Sequence, residues 1–112
     1  MDCVRDMGVA MISQPMRGKT DQEILETRER AENALREMGY VVANTLFSDE
    51  WAKNEASNGD DVKSPLWFLA KSLEVMSRCN AVYFCKGWEK ARGCDIEHDA
   101  AVLYGLKVIY ED

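Results

Sequence analysis

The chain has 112 residues, 46% hydrophobic and 30% charged, a balance that supports one compact domain over residues 1–112 and excludes a chain disordered throughout. Acidic residues outnumber basic ones 20 to 14, and a net charge of −6 argues against broad, sequence-independent binding to duplex nucleic acid. No apolar stretch approaches the roughly 20 residues that span a bilayer. Met1–Met7, with Asp2, Arg5 and Asp6, does not read as a secretory leader, so the expected location is the cytoplasm, away from membranes.

In chain order, Gly8–Gln14 (GVAMISQ) predicts a short buried strand that runs into turn chemistry at Pro15-Met16-Arg17-Gly18-Lys19. Thr20-Asp21-Gln22-Glu23 is a capping-box pattern. The helix after it carries Ile24, Ala31, Leu35 and Met38 on one stripe and ends at Gly39. Tyr40–Thr45 predicts a second strand. Residues 46–63 are polar and irregular, and a loop of that length inside a compact domain is usually functional or mobile; Trp51 is its candidate anchor.

Ser64-Pro65 opens another helix, with Leu66, Leu69, Leu73 and Met76 as its buried stripe. Trp67-Phe68 reads as packing ahead of a base-stacking platform. Ala81–Cys85 (AVYFC) is apolar on both parities, as a central parallel strand should be. Lys86–Arg92 is a polar loop containing Gly87 and Trp88. Gly93 begins a third helix that runs to about Tyr104, Gly105 closes it, and Leu106–Tyr110 is the last strand.

This alternation of strand and helix predicts an α/β fold with a parallel sheet and helices on both faces. Right-handed crossovers give about four strands in the order 2-1-3-4, a small Rossmann-like or flavodoxin-like sheet. Ligands of such sheets bind beyond the carboxyl ends of the strands where the order reverses, here between the first and third strands.

Two loops meet at that point. Ser13–Lys19 offers a hydroxyl, an amide, two cations and free backbone amides beside a helix start, which suits an anion, although the same residues also make an ordinary turn. Arg92-Gly93 again sets a cation and a flexible backbone at a helix start. Asp95 suits the dipole of that helix, and Glu97 lies one turn inside it, near the switch point. Asp95 and Glu97 are two apart and cannot share a helix face, so a paired-carboxylate hydrolase is not expected from them. Nucleophilic use of one carboxylate stays open.

Cys3, Cys79, Cys85 and Cys94 show no C-x-x-C spacing and read as reduced thiols. Cys94 and His98 form half of a zinc pattern with no second pair, so no metal is expected.

Ile12–Gly18, Arg28–Gly39 leading into Tyr40–Asn44, Ala81–Trp88 and Arg92–Ala101 resemble a family of small phage and bacterial proteins. That family is similar to nucleoside 2-deoxyribosyltransferases and deoxynucleoside 5′-monophosphate N-glycosidases. In those enzymes the third helix carries a glutamate, in a Gly-x-x-x-Glu-x-Gly-x-Ala setting, that attacks the anomeric carbon of the sugar. Glu97 matches it within Gly93–Ala101, with Asp99 where the enzymes have the second glycine.

The resemblance implies cleavage or transfer of the N-glycosidic bond of a deoxynucleoside or its 5′-monophosphate, without metal or other cofactor. It implies Glu97 as the catalytic nucleophile. It places Ser13, Gln14, Met16 and Arg17 along the sugar and base, and Lys86, Arg92 and Gly93 at a 5′-phosphate; Gly87 and Trp88 complete the substrate-binding set. Asp49, Glu89 and Asp95 are the candidates for protonating the leaving base. A homo-oligomer, a dimer or larger, is also implied. A non-catalytic nucleotide-binding protein with the same pocket is the alternative.

Overall fold

The computed structural model describes residues 7–45 and 64–112. The expected loop over residues 46–63, with Asp49 and Trp51, and Cys3 lie outside the described residues.

Strand β1 (Gly8–Ser13) leads to helix α1 (Asp21–Glu37) and strand β2 (Tyr40–Val42). Helix α2 (Ser64–Met76) and strand β3 (Ala81–Phe84) follow, then a single 3-10 turn at Trp88–Lys90. Helix α3 (Arg92–Leu103) and strand β4 (Lys107–Tyr110) complete the described elements. The sheet has four strands in the order β2-β1-β3-β4, and every neighbouring pair is parallel, as the crossover argument requires.

Alternation along the central strands builds two apolar layers. Ala10, Ile12, Ala81 and Tyr83 face α1, where Ala31 and Leu35 cover them. Met11, Val82 and Phe84 face the other way, beneath Met76 at the end of α2 and Ala101 of α3. Both faces of β1 and β3 are therefore buried, which is why these strands read as continuous apolar runs.

The start of α1 is capped as its residues dictate. The Glu23 amide donates to Thr20 Oγ1 at 3.1 Å, and the Thr20 amide donates to Glu23 Oε1 at 2.8 Å. Along the helix, Ala31 and Leu35 are buried, but Met38 is exposed and Arg28, which the apolar pattern passes over, is only 5% exposed. In α2, Leu66 is 62% exposed, and the buried side develops only toward Met76. At the amino ends of the strands Asn80 ties three of them together. Its Oδ1 accepts from the Val9 amide (2.8 Å), its amide donates to the Val9 carbonyl (2.7 Å), and its carbonyl accepts from the Lys107 amide (3.1 Å). No helix among the described residues is long and apolar enough to cross a membrane.

Candidate functional site

The opposite, carboxyl ends of β1 and β3 lie side by side, the Cys85 amide donating to the Ser13 carbonyl at 3.0 Å. The loops beyond them also meet: a Cβ built on Gly87 would stand 3.7 Å from Pro15 Cγ. Gly87 has φ +89°, the left-handed conformation that glycine adopts without strain, and this turns the chain sharply after β3. The switch point between the first and third strands is thus where the sequence pattern puts it.

Glu97 is brought to this point by the second turn of α3, and it is 7% exposed. Ser13, the last residue of β1, points to the same face of the sheet as Met11, and its hydroxyl donates to Glu97 Oε1 at 2.5 Å. Ser72 of α2 also acts on the Glu97 carboxyl, and Ser13 on the Cys94 thiol one turn earlier on α3, each favouring the ionised form. One buried carboxyl is therefore held between β1, α2 and α3. Burial raises its pKa above the ordinary carboxylate value, and the Ser13 and Ser72 hydroxyls oppose that rise by stabilising the ionised form. Cys94 is not poised as a nucleophile, because burial raises its thiol to about 11.

The other expected site residues fall into three groups. Gln14 is buried but turns to the opposite face of the sheet, where its Nε2 donates to the Ile24 carbonyl at 3.0 Å. Its Oε1 has no hydrogen-bond partner among the described residues. Met16 and Arg17 are exposed on the first loop, and Arg92 is exposed at the first residue of α3, beside half-buried Gly93. The N-cap of α3, Ala91, has no side-chain cap, so the leading amides of that helix are left to solvent or a ligand.

Lys86, Gly87 and Trp88 form the third group, in a cleft of about 350 Å³ that Phe84, Glu89, Tyr110 and Glu111 also line. Trp88 stacks on His98, with ring centroids 4.0 Å apart and planes 20° apart. His98 Nε2 and the Tyr110 hydroxyl share a hydrogen bond of 2.6 Å. The sequence pattern paired His98 only with Cys94 and passed over Tyr110, because nothing local joins His98 to Tyr110; their contact depends on how α3 lies against β4.

Near the strand ends Arg28 acts as a strut. Its Nε lies 3.2 Å from Glu32 Oε2, and its NH groups donate to Thr45 Oγ1 (3.3 Å) and the Ala43 carbonyl (3.4 Å). Thr45 in turn donates to the Ile12 carbonyl at 3.2 Å, next to Ser13. Among the described residues no group of three or more His, Cys, Asp or Glu side chains is placed to hold a metal ion.

A parallel α/β sheet with the buried Glu97 carboxyl at its switch point defines the structural class. Within that class, the chain belongs to the family described as a domain of unknown function, DUF4406, whose pattern matches residues 9–110. No curated protein and no solved structure matches it.

Proposed function

We propose that this protein cleaves or transfers the N-glycosidic bond of a deoxynucleoside or deoxynucleoside 5′-monophosphate, with Glu97 as nucleophile. The observation that carries the reading is the buried Glu97 carboxyl, hydrogen-bonded by Ser13 at the carboxyl end of β1. As the C1′–N bond breaks, the bonding pair leaves with the base, which takes up a proton. Positive charge develops at C1′, and a carboxylate in a low-dielectric pocket stabilises that charge and forms the C1′–O bond. Water, or the nitrogen of a second base, then displaces the carboxylate from C1′ and loses a proton.

Burial opposes ionisation of the free Glu97, whereas a nucleophile must be ionised; the Ser13 and Ser72 hydroxyls favour the required form. The uncapped start of α3, with Arg92 in its first turn, suits a 5′-phosphate. Closure of the site by a second copy of the chain belongs to the same proposal, as does a cytoplasmic location.

A non-catalytic nucleotide-binding protein is favoured by one observation. Burial pushes the Glu97 carboxyl toward its neutral form, which cannot attack C1′. One experiment separates the two readings. A panel of deoxynucleosides and their 5′-monophosphates is incubated with the protein and with Glu97→Ala, and free base is measured by chromatography. Free base from the parent protein alone supports catalysis. Ligand-induced thermal stabilisation without free base supports the binding protein, and full turnover by Glu97→Ala removes the nucleophile.

A further inference from the structure

We propose that Arg28 and Thr45 are positioning residues for Glu97: from the α1 side of the sheet they hold the end of β1, where the Ser13 hydroxyl crosses to that carboxyl. The proposal rests on Glu97 as the working group of the site. Its test reads the Glu97 proton and not free base, so the two readings can fail separately.

Strand β2 ends at Val42, whereas β1 continues to Ser13. The Ala43 amide donates to the Ala10 carbonyl at 2.8 Å. The parallel register, in which Ala10 faces Val42, would bring the Thr45 amide to the next carbonyl on that side, that of Ile12. The Thr45 hydroxyl takes the Ile12 carbonyl at 3.2 Å, and its oxygen accepts from Arg28 Nη1 at 3.3 Å. A threonine hydroxyl has one proton, so accepting from Arg28 leaves that proton for Ile12. A side chain thus extends the ladder beyond the end of the edge strand.

Both partners are buried, Arg28 at 5% and Thr45 at 7% exposure. An apolar residue at Arg28 would continue the stripe of Ala31 and Leu35 without the desolvation cost of a guanidinium. The fork grips the chain beyond β2 instead, with Nη2 on the Ala43 carbonyl at 3.4 Å and Nε on Glu32 at 3.2 Å.

Ser13 lies between two such anchors. On one side is the Ile12 carbonyl with Thr45, and on the other the Gln14 amide group donates to the Ile24 carbonyl at 3.0 Å. Ile24 and Arg28 are one turn apart on α1, so both anchors lead back to one stripe of that helix. From this fixed backbone the Ser13 hydroxyl reaches Glu97 Oε1 at 2.5 Å, a length that tolerates little drift of the strand. The groups acting on the Glu97 carboxyl are the hydroxyls of Ser13 from β1 and Ser72 from α2, and the Cys94 thiol of α3 lies within its field. Loosening the end of β1 withdraws the first of these, and Glu97 then holds its proton more tightly.

The test follows the side-chain carboxyl carbon of Glu97 by carbon-13 NMR across pH, with the signal identified by its loss in Glu97→Gln. Thr45→Val keeps the shape of the side chain and removes the hydroxyl. It should move the Glu97 midpoint upward, toward that of Ser13→Ala, and Thr45→Ser should restore it. With Ser13→Ala already in place, Thr45→Val should add no further shift, because the hydroxyl being positioned is gone. Should Thr45→Val fail to fold, Arg28→Lys carries the same comparison, since it keeps the charge and loses the fork. An unmoved midpoint in the folded variant, or an equal shift with Ser13 already removed, would overturn the proposal; Arg28 and Thr45 would then serve stability alone.

Discussion

Ser13 and Glu97 stand 84 positions apart in the chain, yet their side chains share a 2.5 Å hydrogen bond inside the protein. The bond joins the end of the first strand to the second turn of the third helix across the sheet's topological switch point. It makes the ionisation of Glu97 dependent on a hydroxyl from another element.

Ser13→Ala removes the donor and leaves a buried carboxyl oxygen short of a partner. The variant should lose about 1–2 kcal/mol of stability in urea unfolding. It should also move the acid limb of any Glu97-dependent activity to higher pH, because the Ser13 hydroxyl lowers the Glu97 pKa. A limb that stays in place would mean that the hydroxyl does not control the carboxyl.

Glu97 also shapes how stability depends on pH. Its folded pKa is raised above the ordinary 4.5, so the folded state binds the proton more tightly than the unfolded state. That preference stabilises the fold fully below 4.5 and is lost as pH rises through the folded value. Glu97→Gln, neutral at every pH, lacks this dependence. The wild type should therefore lose stability relative to Glu97→Gln as pH is raised from 4 toward neutrality. Urea midpoints measured at successive pH values check this, and parallel curves would contradict it.

Arg28→Ala takes out a buried guanidinium and leaves Glu32, Thr45 and the Ala43 carbonyl without it. Glu32 is partly solvated, so the loss should be about 2–3 kcal/mol, below the full cost of a buried unpaired charge. The reach of a lysine is similar, but it lacks the fork that touches three partners at once, so Arg28→Lys should recover only part of the loss. Chemical denaturation of the two variants measures both numbers.

Gly8→Ala is the most disruptive single methyl group expected here. A Cβ at Gly8 would stand 2.0 Å from Asn80 Oδ1, and the residue has φ +101°. Backbone strain alone costs about 1–3 kcal/mol, and displacing Asn80 also breaks its bond to the Val9 amide. A melting temperature close to that of the parent would contradict the expectation.

Strand order was readable because it follows from alternation and handedness, and the Thr20–Glu23 cap because it is local. Most element ends moved by a residue, with Gln14 and Cys85 just outside strands expected to include them, but the second strand, expected over Tyr40–Thr45, stops at Val42. The two sides of the switch point were less legible. Treating Ser13 and Gln14 as neighbours in one site overlooks that successive strand residues face opposite ways; strict alternation from Met11 and Ile12 separates them. Arg28 sits at an apolar-stripe position in α1, where only the burial of its partners reveals the strut. The His98–Tyr110 contact joins residues whose meeting depends on α3 lying across β4, and no local spacing encodes that.

The place of β1 in the sheet has a consequence for how the chain reaches its native state. Among the described strands, β1 is synthesised before the others, yet it is a central one, flanked by β2 on one side and β3 on the other. Its second partner begins at Ala81, so its GVAMIS backbone completes its hydrogen bonds only after about seventy further residues have been synthesised. Pairings this distant in sequence are closed late and slowly. Until then, a short apolar segment with an open edge remains available to other chains. The nascent protein therefore has its greatest exposure to aggregation during synthesis, and slowing translation before Ala81 should lower the soluble yield.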